Sequence, residues 1–162
     1  MVKRTVTLII IILLFAFFEI NFPRFLRFLG VTPNLLLISV VFFNLYFKQK
    51  NALLFTGFCG AIKDVFSIIR FGTNVVSFTI CGFTVNKIKT SIDHDDRIYQ
   101  VLIVFLISLL NSFIFYLLNL FSMNPPFFKS LFFIMLPEAL YTAIISPIIF
   151  QLLKLCALKY SV

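Results

Sequence analysis

Residues 101–121 read VLIVFLISLLNSFIFYLLNLF, with no charged side chain anywhere in the stretch. A helix needs about 20 mostly apolar residues to cross the hydrocarbon core of a bilayer. This run therefore predicts a transmembrane helix over about 99–122. Towards the C-terminus, Met123-Asn124-Pro125-Pro126 breaks it, and a second long apolar run follows over 130–155. That run contains Pro137 and Pro147. Each proline removes a backbone donor and releases a carbonyl one turn earlier, which predicts a kinked or broken span.

Towards the N-terminus lies the longest polar stretch, residues 87–97 (KIKTSIDHDDR), and beyond it further apolar runs at about 71–86, 51–69, 32–47 and 5–20. The expected fold is all-α, a single polytopic transmembrane bundle of about six spans filling residues 1–162. Lys3 and Arg4 before the first run look like the start of a signal peptide. No small-residue cleavage site follows, so an uncleaved first helix is expected. Residues 19–32 are amphipathic and suit a short interfacial segment. In Thr32-Pro33-Asn34, Thr32 is read as the N-cap and Pro33 as part of the first turn of the second span. The hairpin of spans three and four is short and interrupted by Lys63, Asp64 and Arg70, so these two are either full or re-entrant.

Composition agrees. The chain has 162 residues, 61% hydrophobic and 12% charged, with 24 Phe, no Trp and a mean hydropathy of +1.08. Soluble domains are roughly 45–50% apolar and 25% charged, so a water-soluble enzyme domain is excluded. Six spans leave no room for a folded extramembrane domain. The Phe content is read as filling lipid-facing surface. The net charge of +8 is spread singly between apolar runs, which argues for membrane topology and not for nucleic acid. With the N-terminus in the cytoplasm, nine basic residues fall inside (Lys3, Arg4, Lys48, Lys50, Lys87, Lys89, Arg97, Lys154, Lys159) and four outside (Arg24, Arg27, Arg70, Lys129). Both termini are therefore expected on the cytoplasmic side of the membrane.

Helices in lipid meet through small and polar residues. Gly57, Gly60, Ala61 and Asp64 fall on one face of span three. A carboxylate in a membrane faces a partner or water, so this face is either a contact site or internal packing with Asp64 paired to a basic side chain. Lys63 points about 100° away and is not an automatic partner. Three polar stripes follow: Thr73, Ser77 and Cys81 with Gly82; Ser108, Ser112, Phe115, Asn119 and Ser122; and Glu138, Thr142 and Ser146. They suggest a shared interior surface, either a packed polar core or a small-molecule cavity.

No catalytic, metal or cofactor site is expected. Cys59, Cys81 and Cys156 lie in apolar runs without metal-ligand spacing. His94, in Asp93-His94-Asp95-Asp96, has no second His or Cys to complete a zinc site. No G-x-S-x-G, HExxH, P-loop or dinucleotide motif occurs.

The order of three motifs resembles the MreD family of bacterial rod shape-determining membrane proteins. Thr32-Pro33-Asn34-Leu35-Leu36-Leu37-Ile38 opens span two. Gly57-Phe58-Cys59-Gly60-Ala61-Ile62-Lys63-Asp64 lies in span three, with Gly72 eight residues on and Ala61 where the family usually has leucine. Ser146-Pro147-Ile148-Ile149-Phe150 then precedes Leu152-Leu153-Lys154. The resemblance implies a non-enzymatic scaffold of the cell-wall elongation machinery. It would bind MreC and work with MreB, RodA and a class B penicillin-binding transpeptidase in lateral peptidoglycan synthesis. It also implies an architecture similar to the S components of energy-coupling-factor transporters, so a vitamin-binding S component is the competing reading. Pro33, Asn34, Gly57, Gly60, Asp64, Gly72, Glu138 and Pro147 are the expected partner-helix or interior contacts.

Overall fold

A computed structural model describes residues 2–23, 30–67, 71–89, 96–123 and 131–158. The side chains of 2–5, 119–123 and 157–158 lie outside the description, which includes Asn119 and Ser122 of the second polar stripe. So do Arg24, Arg27, Arg70, Lys129 and most of the His94 loop.

Six α-helices occur among the described residues: α1 (Val2–Ile20), α2 (Leu35–Tyr46), α3 (Gln49–Phe66), α4 (Thr73–Ile88), α5 (Arg97–Met123) and α6 (Leu136–Leu158). A π-helical turn, Leu131–Met135, leads into α6. Pro137 sits just inside α6, where its ring and missing N–H disfavour a regular turn before it. The wider turn accommodates both. The helices centre on the apolar runs, which confirms the helical bundle. Arg97–Leu118 and Leu131–Cys156 are long and apolar enough to cross a membrane, and Val6–Ile20 and Leu35–Tyr46 are shorter apolar helices.

The shortest helix is the most deeply placed. α2 spans roughly 18 Å at 1.5 Å per residue, and all its residues except Tyr46 are buried. It packs against α1, α3, α4, α5 and α6. Non-helical backbone at residues 31–34 leads into it from within the bundle, where irregular chain is tolerated because protein groups satisfy it. The most extensive helix pair is α3 with α4.

The phenylalanines are divided between two roles. Phe42, Phe43, Phe78 and Phe150 are fully buried, and Phe42 meets Phe150 edge-on at 5.6 Å while Phe43 stacks on Phe55 at 4.8 Å. Such offset and edge-on pairs stabilise beyond simple area burial. The lipid-filling expectation thus holds for one subset only, including Phe17, Phe18, Phe58, Phe83 and Phe113 on the outer surface. Between the ends of the bundle, the described outer helix faces are largely apolar. On α6 alone, Leu140, Ile144, Ile148, Leu152 and Leu155 form an exposed stripe. Water-soluble monomers do not expose apolar faces of this extent, and the bilayer supplies the missing solvent.

The predicted break at Pro147 does not occur: α6 runs unbroken through it. Proline orphans the carbonyl four residues earlier, here that of Ala143. The buried Ser146 hydroxyl donates to that oxygen at 2.7 Å. Ser146→Ala is therefore expected to destabilise by about 1–2 kcal/mol, the cost of a buried carbonyl left without a donor. Thermal unfolding in detergent checks this, and an unchanged midpoint would show that the serine is dispensable.

Candidate functional site

The bundle has two chemically different ends. At one end, α2 finishes, α3 begins, α4 finishes and α5 begins. Lys89 Nζ donates there to the carbonyls of Phe47 at 2.9 Å and Asn44 at 3.4 Å, closing the C-terminus of α2. Lys154 lies over the Tyr46 ring at 4.9 Å, and Lys48, Lys50, Lys87 and Arg97 are exposed. This end is basic.

Just inside it, a polar knot ties three helices. Asn44 Nδ2 donates to Thr56 Oγ1 at 2.7 Å, Thr56 donates to the Ala52 carbonyl at 2.9 Å, and Asn86 Nδ2 donates to Asn44 Oδ1. Interhelical hydrogen bonds of this kind hold helices that lipid gives no hydrophobic reason to associate. The sequence reading missed the knot because no spacing within one helix reveals it.

Glu19, Asp64 and Glu138 lie at the opposite end. The N-terminus of α2 is buried there, and its first amides have no partner within the helix. Asn34 is the N-cap: its Oδ1 accepts from Leu37 N at 3.1 Å. Glu19 Oε2 accepts from Leu36 N at 3.2 Å. Asn34 is itself held by its backbone N–H, which donates to Thr142 Oγ1 on α6 at 3.0 Å. The cap is thus Asn34 and not Thr32, and Pro33 lies before the helix, buried, and not in its first turn. Asn34 has a non-helical backbone, φ −88° and ψ 81°, and its side chain satisfies the Leu37 amide, which sets the helix start there.

Asp64 is 2% exposed at the end of α3. Its Oδ2 accepts from the backbone N–H of Gly72 at 2.9 Å and Val75 at 3.1 Å. Its Oδ1 accepts from Asn74 N at 3.0 Å and Asn74 Nδ2 at 2.9 Å. The expected basic partner is replaced by the N-terminus of α4, whose free amides and positive dipole end favour a carboxylate. Gly72 makes the return possible with φ +98°, a left-handed conformation open to glycine. Lys63 turns instead to Glu19, Nζ to Oε1 2.7 Å.

Among these groups lies a half-open cavity of about 510 Å³ to which all six helices or their leading segments contribute. Glu19, Lys63, Asn34, Asn74, Asn111 and Glu138 supply its charged and carboxamide groups, hydroxyl side chains add to the polar lining, and aliphatic and aromatic side chains such as Ala16, Phe66 and Phe115 complete it. Glu138 makes only long contacts, from Asn34 Nδ2 to Oε1 and from Ser112 Oγ to Oε2, both 3.5 Å.

Of the residues singled out in the sequence, the fold brings Asn34 to Glu138 and Asp64 to Gly72. Gly60 lies against the backbone of α4. Gly57 faces open space, and Pro147 is separate on α6. Glu19 and Asn111 were not anticipated. Asn111 follows Ser108 by three residues, so the stripe on span five contained the signal.

A model of the family described as rod shape-determining protein MreD matches residues 1–156. No curated protein and no solved structure matches the chain.

Proposed function

The chain belongs to the rod shape-determining protein MreD family, and on that premise we propose that it is a non-catalytic membrane scaffold of the cell-wall elongation complex. It binds MreC and, through the complex, works with MreB, RodA and a class B penicillin-binding transpeptidase to guide lateral peptidoglycan synthesis. The family match over residues 1–156 carries this reading. The distribution of polar groups supports it: most of those described are committed to one another inside the bundle, so contact with other proteins falls to apolar helix faces and short loops.

The outer face of α3 is the proposed seat of MreC's membrane helix. Leu54 is 75% and Val65 66% exposed, Phe58 stands between them, and Gly57 leaves a notch. Small residues let a second helix approach closely. The basic end of the bundle favours the cytoplasmic side of the inner membrane, with both termini there and its lysines near anionic headgroups or a cytoplasmic partner.

Co-purification of the full chain from native membranes in mild detergent tests the proposal. MreC recovered together with the transpeptidase is the expected result. Recovery of transporter ATPase subunits in their place would replace the scaffold with the S-component reading.

A further inference from the structure

We infer that the cavity at the carboxylate end is a binding site for a primary ammonium group carried on an apolar body. The argument is one of hydrogen-bonding capacity left over. Asp64 is fully engaged by the N-terminus of α4. Glu19 is divided between Lys63 and the Leu36 amide; Lys63 is paired directly to Glu19 at 2.7 Å and reaches Glu138 only through space, with no hydrogen bond to it.

Two groups lining the cavity remain underused. The carboxylate of Glu138 holds only two contacts, both 3.5 Å, at the outer limit of a hydrogen bond. Asn111 is 5% exposed, and its carboxamide oxygen has no hydrogen-bond partner. A buried acceptor left unsatisfied is costly and marks a place where a donor is missing. Glu138 offers acceptors to the cavity, so the complementary ligand is a donor; the sealed Asn111 oxygen joins it when the carboxamide turns toward the ligand. Two carboxylates against one ammonium in the lining select a cationic donor over an anion. The aliphatic and aromatic walls accept an apolar body. The volume of about 510 Å³ falls within the roughly 300–1,000 Å³ of small-molecule sites.

The same chemistry comes from two sources: an aminophospholipid headgroup from the surrounding bilayer, or a free aliphatic amine. This inference is independent of the scaffold's partners and is tested on the purified full chain. In the first arm, native mass spectrometry follows mild extraction from vesicles of equal phosphatidylethanolamine and phosphatidylglycerol. In the second, delipidated protein is titrated with n-octylamine, with n-octanol and octanoate as controls, and thermal unfolding is read. Selective retention of phosphatidylethanolamine assigns the lipid source. A rise in midpoint with octylamine alone assigns the free amine. Asn111→Leu, which keeps side-chain size, is expected to weaken whichever binding is seen at least tenfold. Glu138→Gln is expected to do the same, and provides the test if the Asn111 variant fails to fold. Binding of neither probe overturns the inference, as does octanol or octanoate acting as strongly as octylamine, or binding that survives both substitutions.

Discussion

Asp64→Ala protein is expected to unfold far below the wild-type temperature in detergent and to accumulate poorly in membranes. The substitution removes the acceptor for four N–H groups: the backbone amides of Gly72, Asn74 and Val75, and the Asn74 carboxamide. Hydrogen bonds to a charged group contribute about 1.5–3 kcal/mol each, but these four share one carboxylate and their losses do not add. A net cost of about 3–5 kcal/mol follows, comparable to breaking a buried charge pair from one side. Water replaces these bonds only in part, because Asp64 and Asn74 are 2% and 3% exposed. Asp64→Asn is the informative intermediate. Its single carboxamide oxygen keeps part of the cap while its NH2 group opposes a donor, so its midpoint falls between the two. A midpoint for Asp64→Ala within a degree of wild type would show that the α3–α4 hairpin is held by packing alone.

Asp64 also shows where a sequence stops being readable. Its burial was legible, because an acidic residue four positions after Gly60 shares that glycine's helix face and a membrane penalises an unpaired charge. Its partner was not, because no side-chain spacing in the sequence marks a set of backbone amides as the acceptor's match. The answer was a set of backbone amides brought back through the left-handed turn at Gly72. Six helices followed from apolar runs because lipid requires each spanning backbone to satisfy itself locally. The cap of α2 lies two residues later than expected because both Thr32 and Asn34 are good capping residues, and only the backbone shows that Asn34 takes the Leu37 amide. The Glu19–Lys63 pair and the cavity depend on which helices become neighbours, and periodicity within one helix carries no such information. At Pro147 the missing donor predicts a kink or a break, and the absence of a break follows from the Ser146 hydroxyl, whose sequence signal is no more than its place in a polar stripe.

The two glycines of α3 are expected to respond oppositely to the same change. At Gly60 an added Cβ lies 2.6 Å from Val75 Cα and 3.0 Å from the Asn74 carbonyl oxygen. Those atoms are backbone and cannot rotate aside, so Gly60→Leu must push α4 away from α3. Overpacking a core costs about 1–3 kcal/mol where side chains yield. Here the same displacement also pulls Asn74 and Val75 from Asp64, so the expected loss is at the top of that range or beyond it, read as lower membrane abundance and a lower unfolding midpoint. At Gly57 nothing lies within 4 Å of an added Cβ. Gly57→Leu is therefore expected to insert, fold and unfold like wild type. If the notch between Leu54, Phe58 and Val65 seats MreC's helix, the same variant fills it and recovers at least tenfold less MreC on co-purification, since close helix approach depends on the small residue. Gly57→Ala, with a single methyl, retains most of the binding. Wild-type recovery of MreC by Gly57→Leu would move the interface to another face of the bundle, while a folding defect at Gly57 equal to that at Gly60 would mean that this side of α3 is packed inside the protein.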